Sequence, residues 1–468
     1  MIGITSYGAY IPLWRLKREA VAKGGKGEKS VGSFDEDSLT MAVSASVNSF
    51  GGIEREAIDG LLFASTTFPY KEKQNACLAA SAIDLRRDIM TLDVSNTLRA
   101  GTSALRIAGD LVKAGSAKNI IVTASDCRLG SPGSSFEQVC GDGAGALIVG
   151  ETDVAAEIES SFSVYNEVFD VWRADEDKFI RSWDERFVQS EGYGKTVADA
   201  IARLMREKNL GPKDFAKAVI YAPDQRRVEE AAAKLGFDLR TQVQDPLIST
   251  IGNTGAASPI ILLIAALEET RPGDRLLCVS YGDGCDIIVL KVTEHIEKLR
   301  SRRGVRAFLE SKQYVQDYAT YLEWKGILKK ERGPGKALQE VSLTALRRDW
   351  AEVIRFQGSR CKSCGTIQYP PQRVCTQCHA KDQFDLVRLS DKKGSLFTYS
   401  ADYISDPLGV PVILSVVDFE SGGRAVLTMT DHNSKEIKIG MGVEMTFRKL
   451  FYNEGIHNYF WKCTPSRA

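Results

Sequence analysis

Apolar and polar positions along the first 290 residues fall into a pattern that occurs twice. From Ser38 the chain reads SLTMAVSASVNSFGGIEREAIDGLLFAS. Apolar positions three and four apart, a Gly-containing turn, an acidic stretch and a short unbroken apolar run predict an amphipathic helix, a turn and a buried strand. TVADAIARLMREKNLGPKDFAKAVIYAP, from Thr196, keeps the same order and nearly the same spacing. A second pair follows in register: NTLRAGTSALRIAGDLVKAGSAKNIIVTASD from Asn96 and NTGAASPIILLIAALEETRPGDRLLCVSYGD from Asn253. Each opens on Asn-Thr and small residues, continues as a helix, and ends in a buried strand and a polar turn closing on Asp. Helices alternating with short apolar strands predict mixed or parallel sheets covered by helices on both sides. Two such units stacked on one another give an α/β/α/β/α body, with halves at about 1–150 and 151–292.

Past Leu290 the pattern changes. Residues 293–330 are charged and helical, and with the halves they complete a first domain over 1–330. The Gly/Pro-punctuated run LKKERGPGK leads into a linker over 331–345. From Gly394 short alternating segments, among them SLFTYSADYI, VPVILSVVDFE and RAVLTMTD, predict five antiparallel strands. Five such strands over 387–468 suit a small OB-fold β-barrel.

Charge and cysteine content narrow the function. Lys plus Arg and Asp plus Glu both total 61, so the chain has no basic excess. Exposed aromatics on an OB barrel, here Tyr399, Tyr403, Phe451 and Tyr452, are the means by which such folds hold single strands. Without a basic surplus the expectation is no nucleic acid. The longest apolar run, Ala256 to Leu267, is broken by Ser258 and Pro259 and falls short of the roughly 20 residues of a membrane span. With no signal-like start, a cytoplasmic protein outside the membrane is expected.

Residues 361–378 read CKSCGTIQYPPQRVCTQC, two Cys-x-x-Cys pairs separated by ten residues. Cys361, Cys364, Cys375 and Cys378 thereby form a four-thiolate set of the kind that binds structural Zn²⁺, in a rubredoxin-like zinc ribbon over 346–386. The competing reading is a pair of disulfides, which a reducing cytosol disfavours. A closed four-sulfur site leaves no position for water, so this metal holds structure. The six other cysteines sit in mostly apolar contexts and read as core residues, Cys127 and Cys140 included.

The blocks EKSVGSFDEDSLTMAV near Glu28, DVWRADEDKFIRSWDERF from Asp170, IGNTGAASPIILLIAALEETRPGDRLLCVSYGDG from Ile251 and AFLESKQYVQDYATYLEWKGIL from Ala307 resemble a known family over residues 1–330. They are similar to the archaeal and bacterial hydroxymethylglutaryl-CoA synthases, a branch of the thiolase superfamily. The resemblance implies a thiolase-like body and a CoA thioester as substrate. Ribbon plus barrel resembles the small domain that accompanies thiolases, and implies a part that covers the pocket and engages the acyl-CoA tail. Thiolase-fold bodies pair through an edge strand and its helices, which the resemblance sets at Tyr70 to Arg87 and the strand near Ile120. A homodimer, or a heteromer with a thiolase-like subunit, is expected.

The family's three reactive groups are replaced. Its nucleophilic Cys lies in a Phe-Ala-Cys-Lys-Ala-Gly-Thr block whose counterpart runs from Asn96 to Thr102, which puts Leu98 at the nucleophile's place. Its general acid/base Glu corresponds to Thr66, and its His to Ala222. Leucine forms no thioester and a threonine hydroxyl is no general acid at neutral pH, so the acyl-cysteine route is closed. Two readings follow. In one, the protein makes or breaks a C–C bond by an aldol or retro-aldol step without an acyl-cysteine. In the other, it is a non-catalytic scaffold that binds CoA or partners an intact thiolase. The first turns attention to Asn253, an amide donor or helix cap, and Tyr281, a phenol in the SYGDG turn or a satisfied structural tyrosine. The Gly141–Gly143 and Gly282–Gly284 turns are too short to read as phosphate loops.

Overall fold

The computed structural model describes residues 1–329, 340–403 and 411–467, and the chain divides into two compact units. The first holds Met1–Gly32, Asp37–Leu78 and Leu85–Tyr318. The second holds Ser33–Glu36, Ala79–Asp84 and the chain from Ala319 onward. Of the linker expected at 331–345, residues 331–339 lie outside the described residues, as does residue 330 of the arm. Leu343–Arg348 is a short helix.

Nine strands form the sheet of the first unit: β1 (Gly3–Tyr10), β2 (Gly60–Ala64), β3 (Met90–Val94), β4 (Asn119–Cys127), β5 (Asp142–Gly150), β6 (Ala156–Tyr165), β7 (Lys217–Ile220), β8 (Arg275–Tyr281) and β9 (Gly284–Val292). Their order, β7-β8-β9-β6-β1-β5-β4-β2-β3, displays the duplication. In the first half β2 runs parallel to β3 and β4, then β4, β5 and β1 pair antiparallel. In the second, β7 runs parallel to β8, then β8, β9 and β6 pair antiparallel. A parallel bridge from Ala218 to Val243 stands where the second copy of β3 would lie. The halves join through β1 and β6, at Gly3 with Glu157 and Ile4 with Ala156.

Four helices show the layering. An Asp37 capping box starts α1 (Ser38–Phe50), which covers β1, β4 and β5. Two further helices, α2 (Ala100–Lys113) and α3 (Gly194–Lys208), are amphipathic; α3 covers β6 and β9. The fourth, α4 (Ser258–Glu269), is buried from Ser258 through Leu267. Helices α2 and α4 touch one another, and each packs on both half-sheets: α2 on β4 and β9, α4 on β5 and β8. This gives the expected α/β/α/β/α order, and the long apolar run is its central helix. Among the described residues no helix is long and apolar enough to cross a membrane.

One sequence expectation is corrected. The strand near Ile120, expected at the pairing edge, is β4, which lies between β2 and β5 with Ile120 to Ala124 buried. Its apolar run is the mark of a strand covered on both faces. The edge is β3, whose Met90 and Leu92 are 40% and 37% exposed.

The second unit contains a three-stranded ribbon of Gln357–Cys361, Ile367–Gln368 and Phe384–Arg388. After it come β10 (Gly394–Asp402), β11 (Val412–Phe419), β12 (Arg424–Met429), β13 (Gly442–Asn453) and β14 (Ile456–Pro465), closed into a barrel in the order β10-β11-β12-β14-β13. Leu396, Val417, Leu427, Phe447 and Trp461 fill it. Buried Arg448 pairs with Asp35 at 3.1 Å, Glu36 at 3.0 Å and Asp431, and Lys462 reaches Asp35 at 2.8 Å.

Candidate active site

Side chains converge where the C-terminal ends of β2, β4 and β8 meet the start of α2. A cavity of about 230 Å³ opens there, lined among others by Thr66, Leu98, Arg128, Asp170, Trp172 and Tyr281. All belong to the first unit. Its two halves meet tightly at this point: a Cβ on Gly282 would lie 2.8 Å from the Leu98 nitrogen and 2.9 Å from Thr97 Oγ1. Thr97 Oγ1 donates to the Gly282 carbonyl at 3.0 Å. Gly282 N–H donates to Gly284 O at 3.0 Å, and Gly141 N–H donates to Asn253 O at 3.0 Å, so both glycine turns spend an amide on internal bonds.

Fully buried Asp126 organises one wall. Its carboxylate accepts from Ser65 Oγ at 2.9 Å, Thr66 N at 2.7 Å, Thr66 Oγ1 at 2.9 Å, Thr67 Oγ1 at 2.9 Å and Ala256 N at 2.8 Å. The Thr66 hydroxyl is therefore committed. Gly255, at φ +61°, passes so close to Asp126 Oδ2 and Arg128 Cδ that any Cβ would collide.

The opposite wall carries two groups placed for proton transfer. Tyr281 ends β8, packs edge-on against Tyr193 with ring centroids 5.3 Å apart, and its hydroxyl lies close enough to the Asp170 carboxylate for each to shift the other's titration. Burial pushes the Asp170 carboxyl up from its ordinary range; the Tyr281 hydroxyl pulls it back, Asp283 adds to the rise, and Arg128 lowers it. Burial, with Asp170 beside it, pushes the Tyr281 phenol far above its usual value, so it stays protonated at neutral pH. A half-buried carboxylate beside a protonated phenol in a cavity is the arrangement of a general base with its donor.

Of the residues singled out from the sequence, Thr66, Leu98 and Tyr281 line the cavity, and Asn253 and Ala222 are not among its lining residues. Asn253 Oδ1 accepts from Gly255 N at 2.9 Å, and its amide donates to Tyr221 Oη at 3.2 Å, the capping role weighed above. Ala222 is buried in the apolar cluster of the second half. Cys140 is buried and its thiol is pushed up by that burial, while half-buried Cys127 lies 3.7 Å from Thr67 Oγ1. Asp170, Arg128 and Asp126 escaped sequence reasoning. Asp170 opens one of the family-like blocks and Asp126 closes the polar turn of the repeat, but only folding brings them to one place.

In the ribbon, the sulfurs of Cys361 and Cys378 are 3.6 Å apart and those of Cys364 and Cys375 3.5 Å, with all four sulfurs within 4.8 Å of one another. Sulfurs on a tetrahedral zinc, each about 2.3 Å from the ion, sit at about this separation, so the four residues fit a structural Zn²⁺. The family "ChsH2, rubredoxin-like zinc ribbon domain" matches residues 351–384.

Hydroxymethylglutaryl-CoA synthase of Methanopyrus kandleri is 33% identical over 345 residues, covering 70% of this chain and 98% of the relative. The chain belongs to the hydroxymethylglutaryl-CoA synthase family. The enzyme of that name from Archaeoglobus fulgidus is likewise 33% identical, over 70% of this chain and 100% of its own length. The family "3-Oxoacyl-[acyl-carrier-protein (ACP)] synthase III C terminal" matches residues 205–292, the second half of the duplication. A crystal structure of hydroxymethylglutaryl-CoA synthase complexed with CoA shares the fold, with a TM-score of 0.63 and 16% identity over 73% of this chain and 95% of that one.

Proposed function

We propose that this chain binds an acyl-CoA thioester and makes or breaks a carbon–carbon bond by an aldol or retro-aldol step with no acyl-cysteine intermediate. One observation carries the reading: Asp170, its carboxyl raised by burial, shares one cavity with the Tyr281 phenol and with Leu98, the residue that the family resemblance sets at the nucleophile's place. In the cleavage direction the Asp170 carboxylate takes the proton of a β-hydroxyl group. The Cα–Cβ bond breaks, the β-carbon leaves as a carbonyl compound, and the electron pair passes to the thioester as an enolate. The proton on Asp170 then returns to Cα, so the step needs no oxidant and no second substrate. Tyr281, beside it, lowers the carboxyl's pKa and so favours the ionised base. Asn253 keeps the adjoining loop in shape through Tyr221 and Gly255.

The test follows 3-hydroxy-3-methylglutaryl-CoA, and a series of simpler β-hydroxyacyl-CoA thioesters, for release of a carbonyl compound. Asp170→Asn should lower the rate about 100-fold or more, the usual worth of a general base, without loss of CoA binding. Wild-type turnover by Asp170→Asn sinks the mechanism.

A second reading, a non-catalytic subunit that holds CoA or partners an intact thiolase, is favoured by a different observation: the Thr66 hydroxyl is bound to Asp126 and Leu98 is inert. It requires that turnover appear only when a cysteine-bearing thiolase-like chain is added.

The barrel's strand order, closed as first-second-third-fifth-fourth, supports an OB fold. Edge strand β3 with its exposed Met90 and Leu92 supports a two-fold dimer. Light scattering at micromolar concentration should return twice the monomer mass; a monodisperse monomer rejects the dimer. Four thiols available for a metal fit a reducing, cytoplasmic setting.

A further inference from the structure

Arg128 is a cation of the cavity with no carboxylate paired to it among the described residues. It is 7% exposed and lines the cavity directly. Among the described residues its guanidinium has neither a hydrogen bond nor an ion pair; Asp170 feels its charge without pairing with it. The neighbouring arginines of the first unit differ: Arg99 is bound to Asp286 at 2.9 Å and Arg227 to Glu185 at 2.8 Å. A guanidinium that opens on a cavity and meets no carboxylate contributes nothing to packing that a neutral side chain would not, so folding alone gives no reason for it. Several other polar groups of the cavity are engaged, since Thr66 is bound to Asp126, Gly282 N–H to Gly284 O, and Arg173 to the Thr66 carbonyl.

We propose that Arg128 is the anion receptor of this cavity and holds an oxyanion presented by the acyl end of the substrate. A guanidinium fork donates two parallel bonds to a planar pair of oxygens or one strong bond to a single negative oxygen. Two sources supply that chemistry: a carboxylate carried on the acyl chain, or the thioester oxygen as it becomes an enolate oxygen. The inference rests on the acyl-CoA reading given above. In the enolate case Arg128 takes over the electrostatic work left vacant by Ala222.

Trp172 lines the same cavity, so its fluorescence reports occupancy. Wild type, Arg128→Gln and Arg128→Lys are each titrated with free CoA, butyryl-CoA, succinyl-CoA and succinate. If the anion is an acyl-chain carboxylate, succinyl-CoA binds wild type about 10- to 100-fold more tightly than butyryl-CoA, the range expected of hydrogen bonds to a charged group. Arg128→Gln erases that preference and Arg128→Lys retains part of it. If the anion is the enolate, the two thioesters bind alike. Exchange of the butyryl-CoA α-protons in D₂O then falls by a similar factor in Arg128→Gln while its Kd is unchanged. Ligand-free Arg128→Gln should melt at or above the wild-type temperature, because it loses a charge that nothing pairs.

Unaltered binding preference together with unaltered exchange in Arg128→Gln overturns the proposal. So does a clear drop in melting temperature of the ligand-free variant, which would mean a structural partner. Wild type that binds succinate through Arg128 but no CoA species sustains the receptor and removes the acyl-CoA reading instead.

Discussion

At the scale of single residues, the site is defined by what Leu98 and Asp170 can and cannot do. A leucine side chain has no nucleophile, so the intact mass of the protein should not change on incubation with acetyl-CoA. An acetyl adduct on Cys127 or Cys140, seen by peptide mass spectrometry, would restore a displaced-nucleophile mechanism. Leu98→Cys by itself should bring no synthase activity, because Thr66 remains bonded to Asp126 and Ala222 offers no imidazole. The Tyr281 ring packs on Tyr193, so Tyr281→Phe keeps the packing and removes the hydroxyl that lowers the Asp170 pKa. Asp170 must be ionised to act as a base. The acid limb of the pH–rate profile should therefore move to higher pH in Tyr281→Phe; a limb that stays in place or moves down contradicts the pairing. Gly282→Ala should disturb the cavity more than either change, since its Cβ meets the Leu98 and Thr97 positions at 2.8 and 2.9 Å.

Among the elements, the ribbon depends most on something outside the polypeptide. Its three strands are of five, two and five residues, too few to bury a self-sufficient core. Metal binding is then folding free energy for that segment. Elemental analysis should find one zinc per chain. Chelation or Cys364→Ser should abolish slow hydrogen exchange in Gln357–Arg388 and leave that of β1, β4 and β5 unchanged. Loss of protection in both places contradicts the separation of the ribbon from the duplicated body. The contrast with α4 is instructive, because its ten residues from Ser258 to Leu267 are buried by protein on all sides and need no ligand.

For the molecule as a whole, residues far apart in sequence share one buried ionic cluster. Asp35, from the segment before α1, belongs to the C-terminal unit, where it meets Lys462 and Arg448. Burial pushes its carboxyl up, but Lys462 and then Arg448 outweigh that and hold it at about 2. A carboxylate depressed in the folded state stabilises it above its unfolded value near 4, and that contribution is lost as pH falls from about 4 to about 2. Its size is about 2 kcal/mol. Asp35→Asn should therefore flatten the acid side of the stability–pH curve of the second unit, as read by Trp461 fluorescence. An acid limb as steep as that of wild type removes Asp35 from this role.

Periodicity and repetition sufficed for the α/β/α/β/α body, because burial on one or two faces writes itself into local spacing and the second copy repeats the first. The four-sulfur ribbon was legible for a similar reason: its ligands lie within 18 residues, from Cys361 to Cys378. Resemblance located Leu98, Thr66 and Tyr281 because those positions sit inside ordered blocks. Strand order was less accessible. The run around Ile120 looks like any apolar strand, and only neighbours on both sides make it internal while β3 becomes the edge. The chemistry of the cavity was least accessible of all. Asp170 and Arg128 are ordinary charged residues in charged surroundings, and 42 positions separate them. Burial makes one a candidate base and leaves the other an unanswered cation, and burial is a property of the packed chain.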